Sequence, residues 1–165
     1  MELLDVYDDF GNKTNKVVER GEQVKKLNPD EHIAIGVIFI ENKEGLFLIQ
    51  KTSLEKGGLY SSTGGHVCHN ETPLESIKRE VLEELGINID NDPVESLGFL
   101  LYDRPIRHIF YLKKDININD ICTQKEEVDF VKYMNVDEIN KLIDDNMMLA
   151  SHGILFKKVL EYKNK

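Results

Sequence analysis

Cysteine is scarce in this chain. Cys68 and Cys122 are the only two in 165 residues, they sit in different contexts, and no C-x-x-C spacing occurs. Neither a disulfide framework nor a zinc site is suggested. Positive charge is also short: 21 Lys and Arg stand against 30 Asp and Glu, for a formal net charge of -9. That balance argues against a nucleic-acid partner, which calls for a basic face. It suits a small anionic substrate where cations, a metal among them, are concentrated locally. Long apolar runs are missing too, and the longest, residues 33–40, is far short of a bilayer span. The opening "MELLDVYDDF" has acids where a signal peptide needs a basic region and a long apolar run. The expectation is a cytoplasmic protein with no membrane partner.

What is present is a globular composition, 41% apolar and 31% charged. The length suits one domain over 1–165 that buries a core without staples. No internal repeat or low-complexity tract occurs. Residues 1–31 read as an N-terminal hairpin and loop: a strand over 3–7, a turn at "DDFGN", a second strand near Val17 and Val18, and a connecting loop, "RGEQVKKLNPDE". "HIAIGVIFI" reads as a buried strand, "ENKEG" as a turn and "LFLIQKT" as the hairpin partner, followed by a glycine-rich loop over 56–65. Strands are expected over 94–102 and 106–113, with turn chemistry at "DRP" between them. After a polar loop at 114–125, "VDFVKYM" reads as the last strand, and helices over 136–145 and about 151–163 fill the C-terminal segment 136–165. This order predicts an α/β fold, a mixed sheet flanked by helices.

The central helix carries the fullest punctuation. Thr72 is placed as N-cap, Pro73 at the first helical position, Glu75 to complete a capping box, and Gly86 just past the last turn. Leu74, Ile77, Val81 and Leu85 share one face, expected to pack on the sheet. Beside it, Glu80, Glu83 and Glu84 stand at i, i+3 and i+4, within about a 100° arc. Like charges so close destabilise a helix unless something neutralises them, and a hard divalent cation with oxygen ligands does so. Magnesium or manganese would leave coordination positions for water and phosphate oxygens. Arg79 points to the side of the acidic edge and could pair with Glu71 at the loop-to-helix junction. Gly64 and Gly65 let the backbone approach metal and substrate closely. The layout suits metal-assisted attack of water on a phosphoryl group.

Written as G-x5-E-x7-R-E-U-x-E-E-x-G-U, with U apolar, the segment matches at all nine positions: Gly65, Glu71, Arg79, Glu80, Val81, Glu83, Glu84, Gly86 and Ile87. With average residue usage a chance match in such a chain is roughly one in ten million. Over 64–87 the sequence strongly resembles the Nudix hydrolases. The resemblance implies an α/β/α sandwich and a diphosphohydrolase that cleaves a diphosphate linkage in a small molecule, with magnesium or manganese and water as nucleophile. It implies Glu80, Glu83 and Glu84 as metal ligands, the Gly64 carbonyl as a further ligand in some members, and Glu71 with Arg79 as the supporting pair. For the general base it leaves Glu80 open beside an acid in the loop before the last strand, Glu126 or Glu127.

More weakly, "LLDVYDDFGN", "VERGE", "HIAIGVIFI" and "LIQK" resemble the branch allied with isopentenyl diphosphate isomerase, over residues 3 to 90 or so. Lys51-Thr52-Ser53 departs from the Lys-Arg-Ser of many relatives, Leu59-Tyr60 from their tryptophan, and Asn70 from their glycine. Two alternatives carry other functions. An isomerase needs a catalytic cysteine in a context that Cys68 lacks. A non-catalytic ligand sensor usually loses the box acids, which are complete here.

A phosphate clamp needs one or two cations. Lys51, at the end of a core strand, and Arg104, Arg107 and His108, around the turn after the box, are the candidates, with Gly65 offering its backbone. His66 and His69 lie in the box loop and could touch substrate. No pattern singles out Phe47, Tyr60, Phe99, Tyr102 or Tyr111 for stacking on a base. The last helix, with Leu155, Val159 and Tyr162 at helical spacing, packs on the domain or forms part of a homodimer contact.

Overall fold

The computed structural model describes residues 2–165; Met1, the first residue of the expected N-terminal hairpin segment, lies outside the described residues. β1 (Leu3–Tyr7) and β2 (Lys13–Glu19) pair as an antiparallel hairpin that forms a small sheet of its own. Asp8 shapes its turn, accepting from the amides of Phe10 and Asn12 through one carboxylate oxygen. Residues 20–31, expected as loop throughout, contain one helical turn, α1 (Glu22–Lys25). Leu4, Val6, Val18, Leu27 and Ile33 make a separate apolar cluster at the hairpin.

The main sheet is built from β3 (Ala34–Glu41), β4 (Phe47–Thr52), β5 (Tyr60–Ser61), β6 (Thr63–His66), β7 (Glu95–Leu101), β8 (Ile106–Lys113) and β9 (Val128–Met134). Its order is β5-β4-β3-β8-β7, with β6 paired to β3 and β9 to β4. β3 and β8 run parallel, from Ala34 opposite Ile106 to Glu41 opposite Lys113, and the other pairs are antiparallel. The sheet is therefore mixed, as the sequence predicts.

Successive side chains of a strand point to opposite faces. Ile38 and Ile40 join Leu48, Phe110 and Leu112 on one face, under Ile77, Val81 and Leu85 of α2 (Pro73–Leu85). Val37 and Phe39 join Phe47, Ile49, Ile109 and Tyr111 on the other, against Ile139 of α3 (Val136–Asp144) and Leu155, Phe156 and Val159 of α4 (Ala150–Lys163). Helix, sheet and helices form three layers around two apolar seams. Buried Glu41, at the end of β3, accepts from Tyr111 Oη and from Lys163 Nζ, which ties the last turn of α4 to the sheet.

α2 has the expected ends: the Thr72–Glu75 capping box, Pro73 in the first turn, and Gly86 with a left-handed φ of 70°. One expected packing residue departs, since Leu74 is 39% exposed. Buried Ser76 takes the inward position in that turn and donates to the His66 carbonyl at 3.2 Å, so the apolar stripe begins at Ile77. No helix among the described residues is long and apolar enough to cross a membrane.

β3 and β4 pair at the hairpin end, Glu41 opposite Phe47. Farther on they part: Ile35 to Ile38 pair with β6, while β4 pairs with β5 and β9. This split brings β6 and Gln50 under the acidic edge of α2.

Candidate active site

Two adjacent glycines set the distance between α2 and the sheet. A Cβ at Gly65 would overlap the Glu80 carboxyl, and one at Gly64 would strike the Gly36 carbonyl. The helix edge therefore lies close against β6, and Glu80 and Glu84 are half-buried there while Glu83 is exposed. Glu84 Oε1 accepts from Gln50 Nε2 at 3.2 Å, and buried Glu84 Oε2 has no partner. Burial pushes the Glu84 carboxyl up to about 8; the charge of Glu80 adds to the rise, and Gln50 and the Gly64 backbone oppose it. Glu80 is also raised, by burial first and Glu83 second, against the pull of Arg79.

Arg79 organises the charge around them. It grips Glu71 with two parallel bonds, Nε to Oε2 at 2.6 Å and Nη2 to Oε1 at 3.0 Å, which is the expected supporting pair. Its Nη1 donates to Glu80 Oε1 at 2.8 Å and to Glu83 Oε2 at 3.1 Å, and its Nη2 to the His66 carbonyl at 3.2 Å. The Arg79 bonds, with the Cys68 amide behind them, hold the Glu71 carboxyl below the usual range even though burial works the other way. The three box acids share one edge, but the Glu83 carboxyl is turned to Arg79. Among the described residues no three His, Cys, Asp or Glu side chains converge on a metal-sized point.

These groups open onto a cleft of about 640 Å³. Gly64, Gly65, Arg79, Glu80, Glu83 and Glu84 form its floor, and Gln124, Glu127 and Val128 face them from the segment entering β9. Glu127 is thus brought to the box, whereas Glu126 is directed to a different pocket and its carbonyl accepts from Ser53 Oγ at 2.8 Å. His66 lines the cleft; burial, helped by Arg20 and Arg107, holds its imidazole below the ordinary value and therefore neutral near pH 7. Burial pushes the Cys68 thiol up to about 11, so it stays protonated and a poor nucleophile.

The other expected cations stand elsewhere. Strand alternation turns Gln50 toward α2 and Lys51 to the opposite face, where it reaches Asp129 at 3.5 Å. Arg107 is buried on the Ile109 side of β8, donating from Nε to the Tyr102 carbonyl at 3.0 Å. Arg104, at a left-handed φ of 83°, donates to the Leu27 and Asn28 carbonyls at 3.0 and 3.1 Å and ties two loops together. None of the three is among the residues lining the cleft. His108 packs against the Phe99 ring with centroids 5.5 Å apart.

Three contributions lie outside the sequence reading. Gln50 supports Glu84, and its signal was an amide directly after the apolar run Phe47–Ile49 of β4. Asp5, buried on β1, lies 2.7 Å from His69 Nδ1, accepts from the Asn70 amide at 3.0 Å and pairs with Lys13 at 3.1 Å, so it braces the box loop. Burial alone would raise the Asp5 carboxyl, but His69, Asn70 and Lys13 together hold it down. Glu2 and Arg20, beside the hairpin strands, complete the cleft wall.

Kinship with known proteins fixes the class: this is a hydrolase acting on pyrophosphate bonds. The chain belongs to the Nudix hydrolase family, since the NUDIX domain model matches residues 30–151. It is similar to an uncharacterised Nudix hydrolase of Listeria monocytogenes, 33% identical over 147 residues that cover 86% of this chain and 85% of the relative. Among solved structures it is similar to a Deinococcus radiodurans protein, with TM-score 0.77 and 17% identity over 94% of this chain and 98% of the other. It is also similar to a MutT protein of Methanosarcina mazei, with TM-score 0.63 and 19% identity over 81% and 96%. At those identities the structural likeness speaks for the fold.

Proposed function

We propose that this protein hydrolyses the diphosphate linkage of a small-molecule substrate with magnesium or manganese held by Glu80, Glu83, Glu84 and the Gly64 carbonyl. The observation that carries this reading is the buried, partnerless Oε2 of Glu84, a carboxyl that feels the charge of Glu80; with Glu83 released from Arg79, these groups would offer oxygen donors only. Such a set fits a hard divalent ion. When bound, that ion neutralises the carboxylates and polarises the phosphoryl oxygens of the substrate.

The chain's own residues do the rest. Glu71 fixes the Arg79 guanidinium along one edge with two parallel bonds, and Arg79 sets the Glu80 carboxylate in place at 2.8 Å. The Gly64–Gly65 backbone lets the Glu80 carboxyl lie against β6. Two carboxylates are candidates to take the proton of the attacking water. Glu80 is held by Arg79, whereas Glu127 is exposed across the cleft and, among the described residues, no cation pairs with it. Glu127 is therefore the general base in this reading. The protonated Cys68 thiol speaks against an isomerase that uses this cysteine.

The test is a panel of nucleoside triphosphates, dinucleotides, nucleotide sugars and prenyl diphosphates, each with magnesium or manganese, with released phosphate and diphosphate measured directly and phosphomonoester products measured as phosphate after phosphatase treatment. The expected outcome is metal-dependent turnover of one class. Glu80→Gln should lower it by about two to three orders of magnitude, with the circular-dichroism spectrum unchanged. Wild-type turnover in Glu80→Gln would overturn the reading.

A further inference from the structure

We propose that Arg20 binds the substrate's phosphate and that Glu2 is the latch holding Arg20 at the cleft mouth until substrate arrives. The proposal rests on the hydrolytic reading above. A diphosphate brings at least two negative charges into a cleft already lined by Glu2, Glu80, Glu83, Glu84 and Glu127. Among the described residues that line it, the cations are Arg20 and Arg79. Arg79 is committed to Glu71, Glu80, Glu83 and the His66 carbonyl. That leaves Arg20 to receive an anion.

Arg20 is placed to do so. Its Nη1 meets Glu2 Oε2 at 3.3 Å in a single-point contact between two solvent-exposed side chains. A contact of that kind is weak and easily exchanged. A phosphate offers the guanidinium fork two parallel bonds, which are stronger and more directional. The Arg20 backbone is nevertheless fixed, its amide donating to the Glu2 carbonyl at 3.0 Å.

The hairpin is in turn fastened to the box loop. Leu4 bridges to Cys68, the His69 amide donates to the Leu3 carbonyl at 2.8 Å, and Asp5 holds Asn70. The Cys68 sulfur lies 3.5 Å from Glu2 Oε1 and 3.5 Å from Arg79 Nη2, so only this thiol separates the Glu2–Arg20 pair from Arg79. Substrate phosphate displaces Glu2 from Arg20, and no covalent step is involved.

The experiment measures binding of imidodiphosphate, in saturating manganese, by calorimetry, together with KM and kcat on the substrate found in the panel. Arg20→Ala should weaken imidodiphosphate about tenfold and raise KM alike, with kcat within about twofold. Arg20→Lys should restore part of the loss. Glu2→Gln, which releases the latch, should tighten binding. Lys16→Ala removes the same charge from the same hairpin away from the cleft and should change neither. The proposal is overturned if Arg20→Ala binds the probe as tightly as wild type, if Lys16→Ala weakens it equally, or if wild type does not bind it. Arg20-dependent probe binding without turnover on any substrate would sink the hydrolytic reading and leave Arg20 standing. Turnover lost in Glu80→Gln but indifferent to Arg20 would do the reverse.

Discussion

Arg79 answers three carboxylates with one planar group, and that sets what a substitution there does. Arg79→Lys keeps the charge and loses the fork. We expect kcat/KM to fall about ten- to a hundredfold, because Glu80 is no longer held in place; steady-state kinetics checks this. The same pair has a pH signature. Glu71 is held by Arg79 below its unfolded value of about 4.3, so its contribution to stability is complete above that pH and is lost as pH falls through the folded value. Between pH 5 and 3, urea denaturation should show wild type losing stability more steeply than Glu71→Gln. Gly65→Ala separates stability from activity. The added methyl collides with the far end of a flexible glutamate, so the melting temperature should barely move, while turnover should fall about a hundredfold as the Glu80 carboxyl is displaced.

Among elements, α4 depends on its final turn. Removing the Lys163 ammonium leaves Glu41 buried with a charge and only Tyr111 to meet it. Lys163→Met should destabilise by about 2 kcal/mol, seen as a lower urea midpoint with activity intact below it. The elements themselves were largely legible. Thr72, Pro73, Glu75 and Gly86 mark both ends of α2, and alternation marks β3, β4 and β9. The box acids and the Glu71–Arg79 pair were legible because one helix and its own loop carry them all. What failed were matters that local pattern does not encode. Periodicity groups Leu74 with Ile77, but what covers a face depends on the neighbouring segment, and there Ser76 turns inward. Alternation says that Gln50 and Lys51 oppose each other, but not which one meets α2. Arg104 was redirected by left-handed backbone at Asp103 and Arg104. The docking of Leu4 on Cys68 joins residues far apart in sequence and leaves no local trace.

For the molecule as a whole, the buried acids link folding to protons and, on the proposed reading, to metal. Glu84 has a folded value near 8, above its unfolded value of about 4.3. Its contribution is therefore complete below the unfolded value and is lost as pH rises through the folded one. From pH 7 to 9, above the range in which the His66, His108 and His152 imidazoles, all held low by burial, add stability as pH rises, metal-free protein should lose melting temperature. Saturating manganese should remove that slope, since a bound ion displaces the proton. In Glu84→Gln most of the slope and most of the metal response should be missing, the raised Glu80 carboxyl keeping the rest; a calorimetric pH series with chelator and with manganese reads all three.

The cleft wall at Glu2 and Arg20 belongs to a hairpin with a small apolar cluster of its own, apart from the two seams of the sandwich. Units with few buried contacts open at lower free energy than the global fold. Two thermal limits are therefore expected. On warming, the outer lip should detach first while the acids stay seated on α2, so that KM climbs at temperatures where kcat is still rising. If Arg20 holds the substrate as proposed, grip should fail before chemistry does, and heat should starve the active site of substrate before it unfolds the protein.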